Sequence, residues 1–433
     1  MACATGWSRS ALALVRLSGP GVQQVLAGCC RPRGGWPPAR RARLARFFDA
    51  DGTLDEGLVT LFDAGASYTG EASAELSCHG NPLLVERLVQ AAVTAGARVA
   101  EPGEFTRRAL LHGRLDATRA EAVLQSIEAT SARGLQVARA GLDGAVAELT
   151  EDLRAGLTGA IAELEAWLDY PGDDLALTDE ATLVAGLQAL RTRATSAAGT
   201  FQAGRAWVDG ARVALVGPVN AGKSSLFNAL GGSVRALVSG TPGTTRDVLE
   251  RRVDLGGVAV TLLDTAGERD AEGLEAQGIA LGRSLTDDAD LVVVVVPAHA
   301  PADADAVLAR TADRPRLVVW NHGDRGEAPA EALVTTATSG QGLDALSAAI
   351  RDALVGEEPG AASVVIASAR QRDLLLAVAR AVDAAVAALA DGAGVAVAAE
   401  TLYEGLGRLD ALNGRDSREA VLDELFRRFC IGK

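Results

Sequence analysis

Apolar positions change their period several times along this chain. In residues 1–112, ALALVRL (11–17) and EGLVTLF (56–62) are short strand-like runs. PLLVERLVQAAVTAG (82–96) has helical spacing and stops at a glycine. From about 118 to 206 the spacing is helical, as in AVLQSIEATSARGLQVARAGL, and YPGDD (170–174) is the one clear break. Residues 207–356 change character: VALV (213–216), VAVTLL (258–263), LVVVVV (291–296) and LVVW (317–320) are unbroken apolar runs, which predicts parallel strands buried on both faces. After GEEPG (356–360) helix returns, with Leu374, Val378, Ala381, Val382, Ala385 and Leu389 on one stripe of 372–391. SREAVLDELFRRF (417–429) is a last amphipathic helix.

This order predicts a multidomain α/β plus all-α chain. An N-terminal α/β domain (1–112) precedes a helical block (113–206), then an α/β domain (207–356), then a second helical block (357–433). The simplest packing joins the two helical blocks into one discontinuous domain, with the α/β domain inserted. At 433 residues two or three domains are the expectation, and the alanine-rich composition favours helix.

Charge narrows the function. A net charge of −14 argues against a protein that coats nucleic acid with one broad basic face. The arginine-rich stretch 31–46 reads first as a solvated loop leading into a strand, and second as an RNA contact. The cysteines, Cys3, Cys29, Cys30, Cys78 and Cys430, form neither a CxxC nor a metal spacing, which fits a reducing cytosol. No signal peptide is apparent and no apolar run is long enough to span a bilayer, so a soluble cytoplasmic protein is expected.

GPVNAGKS (217–224) follows a strand and precedes a helix, the context that gives GxxxxGK[ST] its meaning. Asn220, Ala221, Gly222, Lys223, Ser224 and Ser225 would wrap nucleotide phosphates, Lys223 on the β- and γ-phosphates and Ser224 on Mg²⁺. Of 42 basic residues only Lys223 and Lys433 are lysine; a compact ammonium suits the phosphate loop better than a guanidinium. Asp264, Thr265, Ala266 and Gly267 end the next strand, where an aspartate can hold the magnesium shell and a glycine N–H can meet the γ-phosphate. Asn321, His322, Gly323 and Asp324 follow LVVW; the Asp324 carboxylate can accept from N1–H and N2–H₂ of guanine, which adenine does not offer. This set resembles the NKxD signature of GTPases with histidine for lysine, and Thr336-Ala337-Thr338 stands where such proteins have a Ser-Ala-Lys loop. The predicted nucleotide is GTP.

Beyond these motifs, GTTRD within SGTPGTTRDVLE (239–250), SYTGEASAELSCHG (67–80), EPGEFTRRALLHGRLDATRAEAV (101–123) and the ending RFCIGK resemble the MnmE (TrmE) family of tRNA-modification GTPases. The resemblance implies a Ras-like G domain inserted in the helical domain, behind a folate-binding-type N-terminal domain. It implies a homodimer formed through that domain, and a flavin-dependent MnmG-type partner joined in a heterotetramer. Together they would place an aminomethyl-type group on C5 of the wobble uridine of tRNA. The one-carbon unit would come from a tetrahydrofolate derivative (5-formyl or 5,10-methylene). By position the folate contacts would be Arg16, Glu75, Arg114 and Lys433, and Cys430 a candidate catalytic thiol.

Hydrolysis in the family resembles a K⁺-dependent variant triggered by G-domain dimerisation. Asn220, Ser239, Thr241 and Thr244 would then hold K⁺, Thr245 would join Ser224 on Mg²⁺, and Glu275 would act through water on the nucleophile. The chain departs from the family in ATGWSRS (4–10) for ATPPGRG, in Arg114 for lysine, and in Glu268 for an apolar residue. The rival readings are a ribosome-assembly GTPase switch and a folate-dependent aminomethyltransferase with a regulatory G domain.

Overall fold

A computed structural model describes residues 1–169, 178–233, 249–264, 287–391, 393–415, 426, 429 and 432. The chain divides into two compact units, Met1–Leu124 with Asp410–Lys433, and Gln125–Leu409.

In the first unit, β1 (Ala2–Cys3), β2 (Ser10–Ser18), β3 (Cys30–Pro32), β4 (Arg43–Asp49), β5 (Gly52–Phe62) and β6 (Ser73–Gly80) form an antiparallel sheet in the order β1-β2-β6-β5-β4-β3. The alternation read from 11–17 is the cause: Ala13, Val15 and Leu17 turn inward with Phe47, Val59 and Leu76. Helices α1 (Val22–Cys29) and α2 (Pro82–Thr94) cover that inner side through Val25, Leu26, Val85 and Leu88. Asn81 caps α2 by accepting from the Leu83 N–H at 3.0 Å, and Pro82 occupies the first turn, where its missing N–H is harmless. On the opposite side Leu12, Leu44 and Leu58 stay exposed. Helix α3 (Glu104–Leu111) follows, and Phe426 and Phe429 of the chain's tail pack with Ala120, Leu110 and Val123.

The second unit carries the long helices and a second sheet. Helix α4 (Ala117–Glu128) spans the boundary between the units, and α5 (Ala132–Asp143), α6 (Ala145–Asp169), α7 (Glu180–Gly199) and α8 (Phe201–Val208) lead to β7 (Ala211–Val216). Then come α9 (Lys223–Ser233), β8 (Leu249–Asp254), β9 (Ala259–Asp264), β10 (Leu291–Pro297), α10 (Asp305–Arg310), β11 (Arg316–Asn321), β12 (Leu333–Thr335), α11 (Leu343–Val355), α12 (Ala369–Ala390) and α13 (Val395–Asn413). The sheet runs β12-β11-β10-β7-β9-β8, parallel except for β8 against β9. Every residue of β10 is buried: Leu291, Val293 and Val295 face one layer with α9 and α11, and Val292, Val294 and Val296 face the other with Ala304. The unbroken valine run follows from this two-sided cover.

Helix α7 packs along α12, and Arg191 Nε donates to Asp383 at 2.7 Å between them. The buried stripe of α12 differs from the expected one. Val378, Val382 and Ala385 are buried as predicted, but Leu375, Ala379 and Ala388 join them in place of Leu374, Ala381 and Leu389, which are half-buried. Ala379 and Ala388 share the buried face with Leu375, and Leu374 and Leu389 flank it. The expected break at 170–174 and most of the expected last helix lie outside the described residues.

Candidate functional site

The parallel strands bring three predicted stretches to one edge. β7, β9 and β11 all run the same way, so the loops after Val216, Asp264 and Asn321 emerge together. Helix α9 is anchored by buried Leu226, Phe227 and Leu230, which fixes its N-terminus against the loop 217–222. Asn220 and Gly222 hold left-handed backbone (φ 64° and 85°), which wraps the loop into a cradle ahead of the helix. A Cβ on Gly222 would lie 2.2 Å from the Asn321 amide nitrogen, so only glycine fits. Lys223 Nζ donates to the Gly217 and Pro218 carbonyls, each at 2.9 Å, and the exposed Ser224 and Ser225 follow it in the first turn. The unpaired N–H groups of a helix start favour anions there. Asp264 ends β9 beside Leu215, only 2% exposed.

Asn321 joins the two halves of the site. It is 1% exposed; its Nδ2 donates to the Ala221 carbonyl at 2.9 Å, and its Oδ1 accepts from Thr335 Oγ1 and the Ala337 N–H, both at 3.3 Å. One buried amide thus ties the phosphate loop to 321–324 and to 335–337. His322 has left-handed backbone (φ 61°) and meets His299 edge-on at 5.4 Å between ring centroids. Asp324 is exposed, with Arg325 Nε 3.7 Å away, so its carboxylate is available to a ligand's N–H edge. The Gly323 N–H donates to the Thr335 carbonyl, and the Thr336 N–H to Gln341, which closes the turn that presents Ala337 and Thr338.

Sequence reasoning missed Thr335 and Gln341. Neither belongs to a motif: Thr335 donates its hydroxyl to Asn321 and its carbonyl accepts from the Gly323 N–H, while the Gln341 carbonyl accepts from the Thr336 N–H. Ser239, Thr241, Thr244, Thr245, Thr265, Ala266, Gly267, Glu275, Cys430 and Lys433 lie outside the described residues.

In the first unit, Arg16 and Glu75 are register neighbours on β2 and β6. Arg16 Nε and Nη2 both donate to Glu75 Oε1, at 3.1 and 2.8 Å. The guanidinium also lies 5.9 Å from the Tyr68 ring and 5.8 Å from the Phe105 ring. Tyr68 hydroxyl is 2.9 Å from Thr106 Oγ1. Arg114 Nη1 donates to the Gly65 carbonyl at 3.2 Å, in the turn 65–71 that carries Tyr68. The turn itself is pinned by Glu71, which accepts from Ser18 at 2.9 Å and from Arg108 at 2.7 Å.

Arg108 also reaches Glu104, which Arg98 holds from the other side. Burial pushes the Glu104 carboxyl up, but donors from Arg98, the Glu101 N–H and Arg108 outweigh it and bring it down to about 2. A cleft of about 180 Å³ opens beside this network, lined by Leu17, Ser18, Gly19, Arg98, Glu104 and Arg108; Arg16 and Glu75 do not line it. The tail returns to this unit. A Cβ on Gly432 (φ 103°) would lie 2.5 Å from the Cys3 carbonyl, on the strand whose Ala2 pairs with Arg16.

The family models and the curated relatives agree on one family. Residues 118–430 match the family model described as the MnmE helical domain, and residues 1–114 that of the GTP-binding protein TrmE N-terminus. The chain is 41% identical over 442 residues to the tRNA modification GTPase MnmE of Myxococcus xanthus, covering 100% of this chain and 98% of that one. It is 37% identical over 446 residues to the protein of the same name from Akkermansia muciniphila, covering 99% and 98%. A crystal structure of the G domain of the T. maritima FeoB iron transporter aligns with 33% of this chain and 98% of its own, at 26% identity and a TM-score of 0.27.

Proposed function

The chain belongs to the MnmE family of tRNA modification GTPases, and from that premise we propose how its residues divide the work. It hydrolyses GTP in the service of tRNA modification. Among the described residues no helix is long and apolar enough to cross a membrane.

The carrying observation is the Asn321 amide, which holds the phosphate loop and the guanine-selecting loop in one rigid frame. In this reading Asp324 accepts from the guanine N–H edge, and Lys223 leaves the loop carbonyls for the β- and γ-phosphates. The cradle at Gly222 supports phosphate binding, since any side chain there would fill it. The donor set is all oxygen: the Ser224 and Thr245 hydroxyls for Mg²⁺, and the Asn220, Ser239, Thr241 and Thr244 oxygens for K⁺. Hard cations favour such ligands. Bound there, they would neutralise charge developing on the transferred phosphoryl group. Glu275 orients the attacking water.

The N-terminal unit takes the tetrahydrofolate derivative in the same reading. Arg16 donates twice to one Glu75 oxygen and leaves the other free to accept from an N–H edge, which fits a pterin. Arg114 flanks the site across the turn 65–71. The Gly432 contact with Cys3 supports a tail that brings Cys430 and Lys433 to this unit. A homodimer and a flavin-dependent partner complete the assembly, which acts on the wobble uridine in the cytoplasm.

Two measurements test this. GTP turnover should be several-fold faster in KCl than in NaCl; equal slow rates would remove the K⁺ site. Cells lacking the gene should lose the C5 substituent of the wobble uridine, and unchanged tRNA would overturn the modification role.

A further inference from the structure

The stretch 31–46, RPRGGWPPARRARLAR, has six arginines and no acidic residue in a chain of net charge −14. Structurally it is the edge hairpin of the first sheet: β3, a loop, and β4. Its arginines are arranged at a cost. Arg31 and Arg46 are direct cross-strand neighbours, a like-charge pair that opposes the hairpin. The next residue in that row is Glu56 on β5, and its carboxylate is ion-paired with Arg33. The one carboxylate in the row is therefore taken by Arg33, and Arg31 and Arg46 face each other without an ion pair to it. Arg31 lies over the Phe48 ring at 4.9 Å, while the guanidiniums of Arg41 and Arg46 have no hydrogen-bond or ion-pair partner among the described residues.

The loop above this row is built, not slack. Arg43 Nη1 donates to three successive carbonyls, those of Gly34, Gly35 and Trp36, at 3.1, 2.8 and 3.3 Å. Arg40 Nη2 holds the Ala66 carbonyl at 2.8 Å and its N–H the Leu61 carbonyl at 2.7 Å. Between these clamps Trp36 is 44% exposed, in a chain with only five tryptophans. Folding alone gives no reason to hold an indole out of the core beside unpaired guanidiniums. The combination suits one ligand chemistry, a polyanion with flat unstacked rings, which is single-stranded RNA.

We propose that the β3–β4 edge hairpin is a docking surface for the substrate tRNA, with Arg31, Arg41 and Arg46 on phosphates and Trp36 stacked on an unpaired base. This rests on the reading that tRNA is the substrate and adds where it is held. An acidic chain repels RNA over most of its surface, so a compact basic edge fixes the docking orientation as well as the affinity.

The test uses the full chain and a fluorescein-labelled anticodon stem-loop with uridine at the wobble position, read by anisotropy across a salt series. Arg31→Gln with Arg46→Gln should raise Kd about tenfold and flatten the log Kd against log salt slope by about 1.4–1.8, two phosphate contacts' worth. Trp36→Ala should raise Kd about fivefold or more, and Trp36→Phe should restore most of it. GTP turnover and the denaturant-unfolding profile of the full chain should both match the wild type in each case, which shows that both units of the variants fold. Wild-type affinity in these variants would overturn the docking surface and leave the function standing. Unchanged RNA binding with loss of the flavoprotein complex would overturn it in favour of a protein interface. If the wild type binds no stem-loop and deletion leaves the wobble-uridine modification unchanged, both readings fall together.

Discussion

The two sheets solve the same problem in opposite ways, and their sites differ accordingly. The parallel sheet is covered on both sides, so its strands have no face to offer a ligand. Its site is made at the strand ends, from backbone turns and one buried amide. The antiparallel sheet has α1 and α2 on one side, and on the other half-buried side chains such as Arg16 and Glu75 stand beside Tyr68 and Phe105. The first site is fixed by the chain's path, the second by which residues alternate outward. Substitutions should therefore act through the fold in one and through chemistry in the other.

The largest contrast should appear in stability. Leu215 is wholly buried in β7, and Leu215→Ala should cost about 3–5 kcal/mol in denaturant unfolding. Leu58 is 43% exposed on β5, and Leu58→Ala should stay within about 0.5 kcal/mol. Comparable losses would mean that the face carrying Leu58 is covered in solution. In activity, Lys223→Ala should slow GTP turnover by about 10²–10³-fold. Arg16→Ala should leave turnover within about twofold while lowering wobble-uridine modification; a fall in both would couple sites that this comparison separates.

Gly432→Val comes next. The backbone there is left-handed and the Cβ would strike the Cys3 carbonyl, so the tail must shift. Modification in complemented cells should fall several-fold, with GTP turnover retained. The smallest effect is on acid stability. Glu104 sits at about 2 in the folded chain against 4.5 unfolded, so its contribution is complete above about pH 5 and is lost as pH falls towards 2. Glu104→Gln should flatten that limb of the stability profile and leave neutral turnover unchanged.

How legible each region was follows from the same contrast. Strands buried on both faces announce themselves as apolar runs, and all four such runs became β7, β9, β10 and β11. β8, LERRVD, did not: it is an antiparallel edge strand whose Arg251 lies over the buried Phe227 ring, and its apolar content is too thin to show a period. β3 was hidden within the arginine stretch for the same reason. The phosphate loop and Asn321 were readable because their chemistry depends on a local order of residues. Thr335, Gln341 and the return of Gly432 to Cys3 were not, because each depends on chain segments brought together only by folding. The α12 stripe shows a subtler failure: periodicity located the face within one position, but alanine on the buried face carries less hydrophobic signal than the leucines beside it.

The Asn321 amide has a thermodynamic consequence. Its three partners already hold the loops that flank the base, so guanine meets a surface that needs little ordering. Association should then be limited by diffusion and orientation, with only a small negative heat-capacity change from the base half of the site. Asn321→Ala would move that ordering from the moment of folding to the moment of binding. Its signature would be a slower on-rate and a more unfavourable binding entropy, even where the final contacts with guanine are the same.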